Sequence, residues 1–191
     1  MTINHAILGI LSYRPMSGYD LKKVIQDSLF MHWSGNNNQI YKALLELLEE
    51  GLVTGEVVHQ ENPPSKKIYT ITSGGLDTLK AWTACAPEPA SFRKSFLIQL
   101  AWADLLCDDA LRELLRSYEE EIRLQLVMAR EKIRRGSAFA ARSGQEAFLW
   151  RMINENVLSS YQSELAWVER VLGQLPAALS GEVCKDEPSA D

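Results

Sequence analysis

Residues 36–53 read NNNQIYKALLELLEEGLV, from Asn36 to Val53, and this stretch decides the fold. Ile40, Ala43, Leu44, Leu47 and Leu48 recur at i, i+3, i+4, i+7 and i+8, the apolar stripe of one helix face. Asn36, with Gln39 three residues on, supplies a start signal, because an amide oxygen can take up the free backbone N–H groups of a first turn. Gly51 ends the helix by accepting a left-handed conformation, and Leu52 can fold back on the last turn. The other face opens with Asn37, Asn38, Gln39, Tyr41 and Lys42; Glu46, Glu49 and Glu50 come only toward the far end. Amides, a phenol and one cation without an early acid suit base edges and phosphates. An ordinary amphipathic core helix has the same pattern, so the flanking chain has to decide.

Upstream, Ile3 to Ser12 places Ile3, Ile7, Leu8 and Leu11 on one helical face, and Arg14-Pro15 ends it. Ser17 caps a second helix, with Asp20 near its positive end and Leu21, Val24, Ile25 and Leu29 as its buried stripe. Lys22, Lys23 and Gln26 point away from that stripe. Two helices, a short turn and a third helix with a polar leading end is the order of a helix-turn-helix. Downstream the period changes to alternation. Val53, Val57 and Val58 precede the loop Glu61-Asn62-Pro63-Pro64-Ser65, and Lys66 to Thr72 (KKIYTIT) is β-branched and aromatic. The pair is a hairpin, or wing, whose Lys66 and Lys67 can meet sugar-phosphate backbone or simply be a solvated strand end. Thr72-Ser73 then caps a helix whose Leu76, Leu79 and Trp82 pack back on the winged unit.

Cys85-Ala86-Pro87-Glu88-Pro89-Ala90 marks the domain boundary, since two prolines in three positions favour an extended connector. Helical periodicity resumes over Phe92 to Cys107, then from a cap at Asp108 or Asp109 to about Arg135. Leu111, Leu115, Tyr118, Ile122 and Ala129 line the longer helix, and Gly136-Ser137 breaks it. Ser143-Gly144-Gln145-Glu146 is a capping box for a last helix reaching Leu172 or Leu175, with Trp150, Ile153, Val157, Tyr161, Leu165, Val168 and Leu172 on its apolar side. Two helices of about 27 and 30 residues span roughly 40 and 45 Å. Leu114, Leu124 and Leu126, with Leu149 and Leu158, add apolar surface beside the main rows. A second copy of the chain covers that surface in an intermolecular bundle; a monomeric hairpin folded on the winged unit is the alternative. The reading is therefore mainly α with a small β wing. Its parts are a winged helix-turn-helix over 1–84, a linker over 85–90, a helical dimerisation domain over 91–175 and a disordered tail over 176–191.

Twenty basic against 25 acidic residues give a net charge of −5, which argues against indiscriminate coating of nucleic acid but permits a locally basic face. No apolar run approaches the roughly 18 residues that span a bilayer, the N-terminus lacks a basic, apolar, cleavable layout, and a cytoplasmic protein is expected. Cys85, Cys107 and Cys184 are odd in number and scattered, which fits a reducing cytoplasm and not a disulfide framework, and they lack zinc-binding spacing. Cys107 reads as a small buried hydrophobe, with a redox-sensitive thiol as the alternative. His5, His32 and His59 are far apart, no nucleophile motif is present, and neither an enzyme nor a cofactor is expected.

Residues 3–83 resemble the winged-helix domain of PadR-type transcriptional regulators. The marks are Gly18-Tyr19-Asp20-Leu21, Gln39-Ile40-Tyr41 with Ala43-Leu44, and Leu47 through Glu50-Gly51-Leu52-Val53, then Lys67, Tyr69, Thr72, Gly75, Leu79 and Trp82. The Gln-Ile-Tyr form is closer to the branch with the AphA-like virulence activators, whose long C-terminal region is helical. Asn37-Asn38 stands where many relatives have Pro-Gly, and Lys67-Ile68-Tyr69 where many have a basic residue and two tyrosines. The resemblance implies a homodimer on double-stranded DNA. Two recognition helices would enter successive major grooves about 34 Å apart on a pseudo-palindromic operator. Asn38 and Gln39, opened by Asn37, are assigned to bases, and Tyr41 and Lys42 to phosphates, with Lys22, Lys23, Lys66 and Lys67 flanking. Tyr41 has a competing role in packing helix against wing. The resemblance further implies a small aromatic effector, for which Trp33, Trp82, Phe92, Trp102 and Trp150 are candidates unless they serve core and interface packing. The competing class is an adaptor whose winged unit grips protein, supported by Glu46, Glu49, Glu50, Glu56 and Glu61 around the recognition helix and wing.

Overall fold

The computed structural model describes residues 3–31, 37–58, 66–88 and 94–175. The Asn36 cap, the wing tip, part of the connector, Trp33, Phe92 and the 176–191 tail lie outside them, as does the side chain of Asn37. The chain forms two compact units. One is Met1–Glu88 with Arg135–Ala147, and the other is Pro89–Arg134 with Phe148–Asp191. The connection between the two long helices groups with the N-terminal unit.

In the first unit, α1 (Ile3–Leu11) is followed by β1 (Met16–Ser17), α2 (Gly18–Asp27), α3 (Asn37–Glu49), β2 (Val53–Val58), β3 (Lys66–Ile71) and α4 (Ser73–Thr83). The sheet order is β1-β3-β2, antiparallel throughout, with Gly55 opposite Tyr69 and Met16 opposite Tyr69 on its other side. β1 is absent from the sequence reading, because two residues are too few to show alternation. Ile7, Leu8 and Leu11 of α1, Leu21 and Ile25 of α2, and Ile40, Ala43, Leu44 and Leu47 of α3 close one core with Met16, Val53 and Tyr69. The core stripe expected of α3 is thus the buried one. Fully burying each large aliphatic chain is worth roughly 1.5 to 3 kcal/mol, enough to hold three short helices together.

Local signals set the element ends. Ser17 Oγ accepts the Asp20 N–H at 3.2 Å and caps α2. Beyond α3, Gly51 takes φ +67°, with Gly51 N–H to Leu48 O at 3.1 Å and Leu52 N–H to Leu47 O at 2.9 Å. That paired closure satisfies carbonyls that a helix end leaves open. Thr72 Oγ accepts the Gly75 N–H at 3.1 Å, capping α4. Leu79 packs on the core as expected, whereas Leu76 and Trp82 are both exposed, at 36% and 39%.

The segment 135–147 joins this unit through its side chains. Phe139 stacks on Tyr13 with centroids 4.5 Å apart and ring planes 17° from parallel. Arg142 lies 4.0 Å over the Tyr13 ring, and Arg14 lies 5.7 Å over Phe139. The Glu146 carboxylate accepts the Tyr13 hydroxyl, the Arg142 guanidinium at 2.7 Å and the Arg142 backbone N–H at 2.5 Å. The expected capping box is therefore half realised: Ser143 Oγ accepts the Glu146 N–H at 3.1 Å, but the carboxylate serves Arg142 and Tyr13. The Arg142 guanidinium, then the Tyr13 hydroxyl and the Arg142 N–H, hold the Glu146 carboxyl down at about 2. Burial, and then the bond to Glu146, push the Tyr13 phenol up to about 12.

This carries a pH prediction. A carboxyl that titrates lower in the folded than in the unfolded chain contributes stability above its ordinary value of 4.5. The contribution is lost as pH falls from there toward about 2. Glu146→Gln is expected to flatten the acid side of the stability curve in that window and to leave the shape of the curve at neutral pH unchanged. Acid unfolding followed by circular dichroism tests it, and superimposable curve shapes for the two chains would refute it.

The chain continues with α5 (Ser95–Leu100), a 3₁₀ turn (Ala103–Leu105), α6 (Asp108–Arg135) and α7 (Gly144–Gln174), all in the second unit except Arg135 and residues 144–147. The helix expected over Phe92 to Cys107 is shorter and broken, and Trp102 sits at the break, at the start of the 3₁₀ turn. Asp108 and Asp109 lie inside the first turn of α6, where they face its positive end, and do not precede it as caps. Gly136, at φ +84°, follows the end of α6. Phe96, Leu115 and Val168 form the buried centre, with Phe96 stacked on Tyr118 at 3.5 Å. Leu126 joins the buried row of α6 with Ile122 and Ala129, while Leu124 is exposed. Tyr118 donates to Glu164 at 2.7 Å, Lys94 pairs with the same carboxylate, and Arg123 bridges Glu119 at 2.6 Å and Glu169 at 2.5 Å. Cys85 is an exposed free thiol, whereas Cys107 is disulfide-bonded, which corrects both the expectation of no disulfide and the reading of Cys107 as a small buried hydrophobe. Among the described residues no helix is long and apolar enough to cross a membrane.

Candidate nucleic-acid interface

One helix supplies both the core and the candidate surface. Ile40, Ala43, Leu44 and Leu47 point inward, and Asn38, Gln39, Tyr41 and Lys42 stand exposed beside them. The first turn of α3 holds no acid. Backbone N–H groups left open at a helix start favour an anion there, and so does the helix dipole.

Lys42 Nζ lies 3.9 Å from Glu46, with 79% of its side chain exposed, and Asn4 Nδ2 donates to the same carboxylate at 3.3 Å. An exposed pair one turn apart is worth about 0.3 to 0.5 kcal/mol, so a phosphate can take the cation from Glu46. Tyr41 is half exposed, yet its ring has a specific seat. A Cβ on Gly18 would fall 2.8 Å from Tyr41 Cε1, so the bare glycine at the start of α2 is what admits the ring. Tyr69, buried on β3, has its phenol pushed up first by burial and then by the neighbouring Tyr41. Lys67 Nζ lies 5.5 Å over the Tyr69 ring, and its stem covers Gly55. The fold thus gathers Tyr41 from the helix and Lys67 from the wing around Tyr69.

Of the other expected contacts, Lys23, Asn38, Gln39 and Lys66 are exposed and Lys22 is half-buried. Tyr69 and Gly18 were legible only as members of a motif; their positioning roles follow from pairing and close approach, which spacing does not reveal. Tyr41→Phe separates the two roles of that residue. If the hydroxyl holds a phosphate, the variant loses about 0.5 to 1.5 kcal/mol of DNA affinity at unchanged stability. If Tyr41 only packs, Tyr41→Phe is silent and Tyr41→Ala lowers stability instead. Binding titration and thermal melting of both variants give the answer.

The candidate effector aromatics are less gathered. The Trp82 ring is committed to His5, stacked at 4.4 Å with planes 16° apart, and burial holds the His5 imidazole below its ordinary value. Trp102 is 68% exposed and Trp150 is half-buried, both in the second unit.

Residues 7–81 match the model of the PadR-like family of transcriptional regulators, and residues 92–176 match that of the C-terminal part of the virulence activator alpha proteins. Three solved relatives share the fold. The smu.1604c protein of Streptococcus mutans is 28% identical with a TM-score of 0.75, over 91% of this chain and 100% of its own. The Vibrio cholerae virulence activator AphA is 26% identical with a TM-score of 0.66, over 90% of this chain and 96% of its own. The Bacillus subtilis negative transcriptional regulator PadR is 24% identical over 91% of this chain and 97% of its own length. Its structure in complex with operator DNA superposes with a TM-score of 0.74, over 90% of this chain and 97% of that one, and it has also been solved with p-coumaric acid. The Bacillus subtilis and Vibrio cholerae relatives carry the names of a transcriptional regulator and a virulence activator. With a winged unit of one description and a helical unit of the other in a single chain, this protein belongs to the PadR family of transcriptional regulators, in its AphA-like branch.

Proposed function

We propose that this regulator binds a pseudo-palindromic DNA operator as a homodimer, each protomer placing the first turn of α3 in a major groove. The supporting observation is that Asn38 and Gln39, in the acid-free opening turn of α3, are exposed while Ile40, Ala43, Leu44 and Leu47 hold the helix in the core. Asn38 and Gln39 read base edges, with Asn37 preceding them in the same turn. Tyr41 and Lys42 hold phosphates, and Lys22, Lys23, Lys66 and Lys67 flank them. Dimerisation is supported by apolar side chains that one protomer leaves uncovered. Leu124, Val127 and Met128 on α6 and Phe148 and Leu149 on α7 are 47 to 60% exposed. The cytoplasm is the compartment that gives such a protein its DNA.

The test is a fluorescence titration on DNA selected from a random pool by the full chain. Lys42→Ala is expected to weaken all sequences alike and to flatten the dependence of log K on log salt by about one unit. Unchanged affinity and slope would show the docking face to be elsewhere, and failure of the full chain to select any DNA would favour the protein-gripping adaptor. The p-coumaric acid bound by the Bacillus subtilis relative supports a small aromatic acid as effector, with Trp102 and Trp150 as reporters. A saturable change of tryptophan fluorescence with phenolic acids is the expected result, and a flat titration removes that ligand class.

A further inference from the structure

We infer that Tyr13, Arg142 and Glu146 form a latch through which the connection between the two long helices sets the position of α1 and, through it, of α3. The winged unit is not one stretch of chain. Residues 135–147 group with it, and that segment is the covalent link from α6 to α7. What it grips is the C-terminal end of α1. Arg142 Nη1 donates to Ser12 Oγ at 3.2 Å, and that hydroxyl donates to Gly9 O at 2.7 Å. Cations at this end, Arg142 and Arg14, oppose the negative pole of the helix. From α1 the path continues into the recognition helix, because Ile7, Leu8 and Leu11 share a core with Ala43, Leu44 and Leu47, and Asn4 bonds Glu46.

The chemistry of the contact suits a latch better than it suits a core. Phe139 is the one side chain of the segment packed on the apolar cluster; the rest is guanidinium, carboxylate and phenol held by directed bonds. Such a contact is specific in geometry but modest in buried apolar area, so it has two usable arrangements, made and broken. Arg142 meets a carboxylate with its fork and a ring with its plane, and lysine reproduces only the charge. These residues are positioning residues and touch no DNA. The effect on DNA rests on the function proposed above; the effect on α1 does not.

Hydrogen exchange on the full chain, paired with titration on its selected DNA, tests the latch. Arg142→Ala is expected to speed exchange in 8–14 and 137–147 together, and to a smaller extent in 40–47. DNA affinity should fall roughly 2- to 30-fold, the range of coupling through a side-chain network, at an unchanged salt slope. Arg142→Lys should restore part of both. Glu146→Gln and Tyr13→Phe should repeat the exchange pattern if Arg142→Ala fails to fold. Exchange in 8–14 that stays at the wild-type rate in all the folded variants overturns the latch. A flattened salt slope overturns it too, by making Arg142 a phosphate contact. If the unaltered chain selects no DNA, the proposed function fails while the exchange result still decides the latch.

Discussion

Alanine at Gly75 is expected to destabilise the winged unit by about 3 kcal/mol, the upper part of the usual range for overpacking. The added Cβ would stand 2.2 Å from Leu52 O and 2.8 Å from Ile71 Cγ1. A backbone carbonyl cannot swing aside as a side chain does. Leu52 O is also held, accepting the Thr72 N–H at 3.0 Å and the Thr72 hydroxyl at 3.1 Å. Relief therefore means parting α4 from the start of the wing and losing the bonds around its cap. Gly55→Ala is the control. Its Cβ meets the flexible stem of Lys67 at 2.6 Å, which can move, so a change within about 0.5 kcal/mol is expected. Thermal melting of both variants, with hydrogen exchange over 52–76 to locate the loss, checks the contrast. Equal melting temperatures for the two would refute the account of Gly75.

The second large effect concerns reading of sequence. The double variant Asn38→Ala with Gln39→Ala is expected to lose about 1 to 3 kcal/mol of discrimination for each bidentate pair removed. Two base-pair positions in each half-site should then accept other bases, with the salt slope retained, because amides neutralise no phosphate. Selection from random DNA with the double variant, set beside the unaltered chain, displays the result position by position. A preference identical to that of the unaltered chain would exclude both amides from base contact.

Much of the winged unit was legible because its signals are local and agree. The stripe of α3, the Ser17 and Thr72 caps and the Gly51 stop each act within a few residues, and each has its expected partner. The failures share the opposite character. β1 exists only because Met16 and Ser17 find Tyr69 and Ile68 some fifty residues later. The helix expected over 92–107 breaks at Trp102, and the sequence there has neither proline nor glycine to announce it. Leu124 and Leu126 could not be sorted into outer and inner rows by period alone, since a broad apolar surface offers more than one stripe to the core. The site divides in the same way. Exposure of Asn38, Gln39 and Lys42 follows from helical phase, whereas the seating of Tyr41 against Gly18 and the draping of Lys67 over Tyr69 depend on contacts between elements.

A DNA-reading fragment trimmed at residue 88 would discard Phe139, Arg142 and Glu146 and strip Tyr13 of its cover. Such a truncation would enter solution with a loosened α1, and its weak binding would be blamed on monomer formation alone. Grafting this reading head onto a foreign body meets the same obstacle: the thirteen residues of 135–147 would have to travel with it, although 46 codons separate them from Glu88. The two halves of the chain are thus less interchangeable than their separate family matches suggest.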